Sequence, residues 1–550
     1  MFSDNAKWIW TDHATPRFNA FVCFRRSFTL RSAVGASLRI TADARYRLFV
    51  NGKWIGHGPA RAYPQHWQVD TYDLTGLVEG GLNTIAVLVH DIGISTFQYI
   101  LCRTGLLAEL ELEKMASIVT DSTWRCRPHK GYTAIVPREA VHRAWEEQFD
   151  ARRPPGPAWM DRFFDDSDWP KAKPLFRAGE GPHGRLEPRD IPLLNYQPRY
   201  PVRLISTDVV ESAPCTWSIN LKVSLNPDDI TSNKLFGRMF LATYIHSPKD
   251  QPAQIQMVHS EAFEGWKLNG QKLIFNDRSL QQTKAGLAHV RFKKGWNCLI
   301  AKTFDITHIW QNALNLWFNH PVTFHADRNT KTANPWVAVG PFAGVWGEDK
   351  NNPHEVRAKF IPPEGSAELY EQIWRRGTLE GLDLPACLLR PLDKHQLPAV
   401  DVYAICASDR PVPRACARLE NPHALLHDTY EWTTVHASPK GDVRLLLDLG
   451  QEVSGFHEIE LDAPAGTIVD VENFEHIRPN GRWIRCEGMN NTFRYVCREG
   501  AQRFSAFTPR GMRFSLVTFR NHPRPVKVRM VRVLESIYPV SRRASFESSD

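Results

Sequence analysis

Short runs in which apolar and polar residues alternate, bounded by Gly, Pro, Asn and Asp, dominate the chain, and a period of two marks strands with one buried face. Ser37-Leu38-Arg39-Ile40-Thr41-Ala42-Asp43 alternates in this way, as does Tyr46-Arg47-Leu48-Phe49-Val50. Asn51-Gly52 follows with two residues that tolerate the positive φ of a hairpin turn. Leu82 to Val89 reads as a strand buried on both faces, and Gly105 to Leu112 as another strand. Helical periodicity is scarce. Its best candidate, Ala367 to Leu379, falls between sheet-rich regions and reads as a connector.

The turn signals repeat. Phe49-Val50-Asn51-Gly52-Lys53 is echoed by Lys267-Leu268-Asn269-Gly270-Gln271, and Gly81-Leu82-Asn83 by Gly295-Trp296-Asn297, so an Asn-Gly hairpin and a Gly-x-Asn-led strand recur at similar spacing. Two related sandwiches are expected, with chance reuse of common hairpin dipeptides as the alternative. A third sheet-rich unit contains Arg444 to Gly450, Gly455 to Leu461, Thr467 to Val471 and Lys527 to Leu534 as strands. The pattern divides the chain into a first sandwich over 1–180, a second over 181–360, a connector with a short helix over 361–424, a third sandwich over 425–540, and a terminal segment, 541–550. The expected fold class is all-β, with several jelly-roll or β-sandwich domains in tandem.

Length and composition fit this division. At 550 residues the chain exceeds one hydrophobic core, which suggests roughly three or four domains. The 18 Trp and 29 Phe are many, and aromatics suit both strands and sugar-stacking faces. A formal charge of +8 is spread without a Lys/Arg block, which argues against a nucleic-acid arm. The first residues lack a basic and apolar leader, and no apolar run reaches the length of a membrane span. Ten scattered cysteines form no CxxC pair, so reduced thiols and a cytoplasmic location are expected, with no metal site.

Catalytic motifs are mostly absent. The chain holds no GxSxG elbow and no HExxH, and Gly265 to Lys272 fits a hairpin better than a phosphate loop because Gln271 stands where Lys must follow Gly. His423 and His427 are spaced to share a helical face, but no third ligand lies nearby in sequence. Glycoside hydrolysis needs two carboxyl groups, one protonated and one ionised. Asp165, Asp166 and Asp168 read as a solvated turn, and Glu472 and Glu475 fall on opposite faces of a strand. Trp145 to Arg152 (WEEQFDAR) packs acid, aromatic and Arg together, the mixture that stacks on a sugar and bonds its hydroxyls. An internal pair between Arg152 and a carboxylate would also account for it. With Arg61, Trp67 and Asp70, which follow the Gly58-Pro59 turn, residues Glu147, Asp150 and Arg152 are the candidates for one sugar-binding edge; ordinary loop packing is the alternative.

An ordered series of segments resembles a known family. Lys7-Trp8-Ile9-Trp10, Phe24 to Phe28, Ala42 to Gly52, Gly56 to Arg61, Asp70 to Thr75, Asn83 to Val87, Thr120 to Arg125 and Phe149 to Arg152 follow the succession of the N-terminal sandwich of bacterial α-L-rhamnosidases, glycoside hydrolase family 78. Asp448 to Phe456, Ala465 to Thr467, Glu475 to Gly481, Phe504 to Phe507 and Gly511 to Phe514 resemble the β-sandwich that precedes the family's catalytic barrel, although Met512 stands where an aromatic is more usual. Tyr538 to Val540, Phe546 and Ser549-Asp550 look like the linker into that barrel.

The resemblance implies galactose-binding-like jelly rolls that engage a rhamnose-containing carbohydrate or glycoside. It leaves calcium open as an ion in the first domain and implies no other cofactor. The family's catalytic acids lie on an (α/α)6 barrel, and no position here matches them. The expectation is a scaffold and carbohydrate-binding portion without catalytic residues, inactive alone, partnered by a separate catalytic polypeptide or a second copy. A stand-alone carbohydrate-binding protein is the alternative. No nucleic acid and no membrane are expected as partners.

Overall fold

The computed structural model describes residues 2–549 except 13–17, 141, 220–234, 237, 259–262, 276–285, 304–305, 308–311, 329–332, 344–361, 393–396, 398–399, 482, 485–488 and 542. Strands dominate, in three sandwiches. In the first, one sheet runs in the order Lys173–Arg177, Lys7–Trp10, Gly105–Leu112, Ala36–Asp43, His66–Asp73, Arg185–Pro188. The facing sheet runs Arg125–Pro128, Ala20–Leu30, Gly81–Asp91, Arg45–Val50, Lys53–Gly58. Alternation decides the faces: Leu38, Ile40 and Ala42 enter the core with Val22, Phe24, Leu48, Val87 and Leu106. Arg39, between them, turns outward to Glu109 and Glu111.

The second sandwich pairs a sheet of Cys215–Ile219, Asn312–Phe318, Gln251–Val258 and Gly286–Phe292 with one built on Phe263–Leu268, Gly295–Thr303, Arg238–Ser247 and Val337–Ala343. Trp266, Trp336, Leu241 and Leu299 fill the space between them. The helix predicted at Ala367 to Leu379 forms over Ser366–Arg376, bracketed by Gly365 and Gly377, both with positive φ. It is more than a connector. Tyr370 and Ile373 pack with Phe240 and Ile300 on the outer face of the second sandwich.

The sequence repeat is a structural one. Asn51 and Asn269 both take φ 51°, each followed by a positive-φ glycine. The Asn51 side chain donates to Asn83 Oδ1 at 2.9 Å and accepts from the Thr84 amide at 2.9 Å. Asn269 treats Asn297 and Cys298 alike, at 2.9 and 2.9 Å. Asn83 accepts from the Glu79 amide and donates to the carbonyls of Glu79 and Gly81. Asn297 does the same with Lys293 and Gly295. One buried amide thus fastens a hairpin to the loop before the next strand, twice.

The third sandwich is assembled from distant pieces. Its spine, Asp442–Ala463, is a single strand of 22 residues where two were expected. It bends at an irregularity between Asp448 and Val453, near Gly450 with φ 79°, so that Val443, Leu445, Ile459 and Leu461 reach the same core. Glu147–Asp150 joins this sheet in parallel with Thr492–Val496. Asn195–Arg199 pairs with Val526–Ile537, and Arg203–Glu211 with the spine. The division expected at 180 and 425 therefore does not separate the sheets, because pairing partners hundreds of residues apart leave no local pattern. A second helix, Val402–Ser408, was not foreseen: Asp401 caps it by accepting from the Ala404 amide at 2.8 Å. Tyr403, Ala404 and Ala407 pack with Val258 and Ala313 of the second sandwich. The nine described cysteines form no disulfide, and Cys486 lies outside the described residues.

Asn83 and Asn297 are buried, at 0% and 1% exposure, so replacing either by Ala strands an amide and two carbonyls. Each substitution is expected to cost about 2 kcal/mol, with Asp restoring the acceptor but not the donors. Denaturant unfolding followed by domain-resolved hydrogen exchange checks this, and each loss should appear in the sandwich that carries the change.

Candidate functional site

The six residues expected on one sugar-binding edge separate into two groups. Trp67 and Asp70 lie inside the first sandwich on His66–Asp73: the Trp67 indole donates to Thr41 Oγ1 at 3.0 Å, and Asp70 accepts from Tyr46 and, at 2.9 Å, from Arg189. Asp70 is fully buried, and that burial raises its pKa against the pull of Tyr46 and Arg189. Both side chains are committed to the fold. Arg61 is exposed in the turn before that strand. The remaining three sit where the first sandwich meets the third. Asp150 and Arg152 form a forked ion pair at the rim, 2.8 Å at both contacts, which holds the Asp150 carboxyl below its ordinary range. Glu147 is buried and accepts from the amides of Phe507 and Thr508, at 2.6 and 3.0 Å.

Asp166 is more than a solvated turn, because it accepts from the fully buried Arg25 at 2.7 Å. Glu472 is buried and Glu475 exposed. His423 lies in the 3-10 turn Pro422–Leu426 and His427 beyond its end in extended backbone, so they share no helical face.

Between the first and third sandwiches lies a cavity of about 750 Å³, within the range of small-ligand sites. Trp54 on Lys53–Gly58 and Trp159 on the 3-10 turn Pro157–Met160 form one wall; Phe149, Tyr495 and Phe504 form the other. Phe149 lies parallel to Tyr495, with centroids 5.9 Å apart and planes at 3°, and 5.1 Å from Phe504. The stacking follows from the strand register, which sets Phe149 opposite Tyr495. Arg47 reaches across from the first sandwich to the carbonyls of Ser505 and Ala506, at 3.0 and 2.6 Å. Its guanidinium lies 5.3 Å from the rings of Trp54, Phe456 and Phe507.

Polar groups rim these rings. Glu458 and Glu460 project from the same face of the spine strand, with Arg503 beside them. Glu458 accepts from Arg503 at 2.9 Å and Arg532 at 2.8 Å, and Glu460 from Arg529 at 2.6 Å. Each carboxylate thus spends oxygens on guanidinium groups. Aromatic faces ringed by ion-paired Arg and Glu can stack on the C–H face of a sugar and bond its hydroxyls. Sequence reasoning reached Phe149 only as part of the 145–152 segment, and it missed Trp54, Trp159, Tyr495 and Phe504. The Trp and Phe abundance was the available signal.

Three family models match in order along the chain: the alpha-L-rhamnosidase N-terminal domain over residues 31–193, alpha-L-rhamnosidase domain D2 over 215–395, and the bacterial alpha-L-rhamnosidase concanavalin-like domain over 439–534. The crystal structure of a GH78 family rhamnosidase of Bacillus sp. GL1 superposes with a TM-score of 0.87 at 28% identity, covering 99% of this chain and 56% of that one. An alpha-L-rhamnosidase of Streptomyces avermitilis is 26% identical over 190 residues, 34% of this chain and 16% of its own length. The chain thus spans little more than half of the similar Bacillus structure.

Next to Glu147 in the chain, Glu146 is buried and accepts from Thr492 at 2.7 Å, Gln148 at 2.6 Å and the amides of Val402 and Tyr403. Burial, reinforced by the neighbouring Asp401 carboxylate, pushes its pKa from 4.5 up to about 8. The unfolded chain releases this proton near 4.5 and the fold keeps it to about 8, so the contribution is complete below that window and lost as pH rises through it. Stability is expected to fall by an amount on the order of a few kcal/mol between those limits. Glu146→Gln should flatten that part of the profile, measured as the difference between wild-type and variant unfolding free energies at pH 5 and pH 8.

Proposed function

The chain belongs to the bacterial α-L-rhamnosidases of glycoside hydrolase family 78, and from that premise we propose that it supplies their scaffold and carbohydrate-binding portion, with the cavity between the first and third sandwiches as the rhamnoside site. The observation that carries this reading is the pair of aromatic walls facing one another across a preformed space, with Arg503 and Glu460 at the edge. A deoxyhexose such as L-rhamnose offers an apolar face and a methyl group to Trp54 and Phe149, and its hydroxyls suit a guanidinium and a carboxylate already held in place. The sandwiches would present such a sugar to catalytic groups carried elsewhere in the assembled enzyme. Hydrolysis needs a protonated and an ionised carboxyl on opposite sides of one glycosidic bond, and the two carboxylates at this cavity are both ion-paired on one face of one strand.

Titration calorimetry with methyl α-L-rhamnoside is expected to give a millimolar dissociation constant, weakened by about 10-fold or more in Trp54→Ala and in Arg503→Ala. The Arg503 side chain is 52% exposed, so its variant keeps the fold even if Trp54→Ala disturbs the junction. The absence of a saturable signal at tens of millimolar sugar overturns the binding site. Purified 1–550 is expected to release no aryl alcohol from an aryl α-L-rhamnoside, and clear turnover would sink the non-catalytic reading.

A further inference from the structure

A second cluster of chemically able side chains lies in the first sandwich, away from the aromatic cavity. Asp43 ends the strand Ala36–Asp43, Cys102 lies in the loop after Gly81–Asp91, and His183 lies just before Arg185–Pro188. A carboxylate oxygen, the thiol sulfur and a ring nitrogen from these three lie within 4.8 Å of one another. His183 Nε2 is 2.8 Å from Asp43 Oδ2, and neither side chain is exposed at all. The imidazole is held from both sides: Trp8 stacks on it with centroids 4.2 Å apart, and Trp67 meets it edge-on at 4.9 Å. Tyr99 donates to the other oxygen of Asp43, orienting that carboxylate.

Two features point beyond a closed hydrogen-bond cluster. The other ring nitrogen of His183 and one carboxylate oxygen of Asp91 are buried without a hydrogen-bond partner. Buried polar atoms left without partners are costly, and a cation held between the carboxylate, the imidazole and the thiol would engage such atoms.

We propose that Asp43, Cys102 and His183 bind a divalent ion of the zinc class, with the fourth position left to water or a neighbouring carboxylate. One oxygen, one nitrogen and one sulfur suit a borderline-soft, four-coordinate ion. Calcium and magnesium take six or more oxygen ligands, so this cluster is not the calcium site that the family resemblance left open. The trapped Trp8 and Trp67 rings and the Tyr99 hydroxyl supply the outer support that fixes ligand orientation in metal sites. Since the three ligands come from three separated stretches of chain, the ion would clip the strand end, the following loop and the segment around His183 together. No spacing motif announces such a site, which is why the sequence suggested none.

The test is titration of the chelator-stripped full chain with Co²⁺, then Zn²⁺, then Ca²⁺. Stoichiometric cobalt binding is expected, with tetrahedral visible bands and a thiolate-to-cobalt charge-transfer band, displaced by zinc and untouched by calcium. Cys102→Ser should remove the charge-transfer band while melting cooperatively, and His183→Gln should weaken cobalt binding by at least about 10-fold. Zinc should also raise the melting temperature of the stripped wild type but not of Cys102→Ser. A wild-type chain without a saturable cobalt site overturns the proposal. So does a charge-transfer band that persists in Cys102→Ser, which would assign it to the exposed Cys387 or Cys416.

Discussion

The junction between the first and third sandwiches rests on a buried ionic cluster, and the shape of the aromatic cavity follows from it. Arg510 is fully buried; it donates to Glu139 and to the carbonyls of Thr492 and Thr508, with Glu147 3.9 Å away. Glu147 in turn takes two backbone amides. Charges withdrawn from water are costly unless their partners are held in place, so each member restricts the others to a narrow geometry, although Arg510 Nε and Glu139 Oε2 stay without a hydrogen bond. Glu147 anchors the first residue of a strand laid along Thr492–Val496, and Phe149, two residues later, therefore faces Tyr495. A core of aliphatic side chains could slide by part of a residue; this arrangement cannot do so without exposing a charge to apolar surroundings.

Guanidinium groups serve as the other joints too. Arg47 links the sandwiches across the cavity floor, and Arg520 gathers Asp409, Asp442 and Asp470 where the Val402–Ser408 helix meets the third sandwich. Arg494 completes that set by forking onto Asp470 at 2.6 and 2.7 Å. Arginine suits such places because its planar fork presents several donors at once and is weakly hydrated, while its face tolerates aromatic neighbours. Burial alone would raise the pKa of Asp470; the two guanidinium groups reverse this and hold its carboxyl below the ordinary range. Part of the arginine content is thus structural, paired with carboxylates at the joints rather than displayed to a partner.

What the sequence disclosed was local, and what it hid was long-range. Leu38, Ile40 and Ala42 enter the core as their alternation predicts, and the Asn-Gly and Gly-x-Asn signals mark the same amide clasp in both sandwiches, because each depends on residues close in the chain. Glu147–Asp150, Asn195–Arg199 and Arg203–Glu211 were not assignable to the third sandwich, since a strand's pattern reveals which face is buried but not which neighbour buries it. The segment 145–152 carries two readings in the sequence, a sugar-binding mixture of acid, aromatic and Arg or an internal pair between Arg152 and a carboxylate. The structure divides its labour: Glu146 and Glu147 hold the junction, Phe149 enters the cavity wall, and Asp150 and Arg152 pair at the rim. Trp67 and Asp70 stay open in the sequence between a sugar edge and loop packing, because a polar or aromatic residue after a turn looks the same whether it ends in solvent or against Thr41 and Arg189.

A site shared by two domains carries a consequence that a pocket within one domain does not. Trp54 and Trp159 belong to one sandwich and Tyr495 and Phe504 to another, so a sugar seated between them would bind only the docked arrangement. By linkage it would stabilise the junction to the extent that it prefers that arrangement. A single deoxyhexose present at about ten times a millimolar dissociation constant contributes only about 1.4 kcal/mol. That is below the cost of breaking one buried ion pair, about 3 to 5 kcal/mol, so the sugar could not assemble the junction by itself. The cavity must therefore be preformed by the Arg510, Glu139 and Glu147 cluster and by Arg47. Arg510, Glu139 and Glu147 lie behind the aromatic walls and Arg47 on the cavity floor, so most of the energetic support of the proposed site rests in residues that a ligand would not touch.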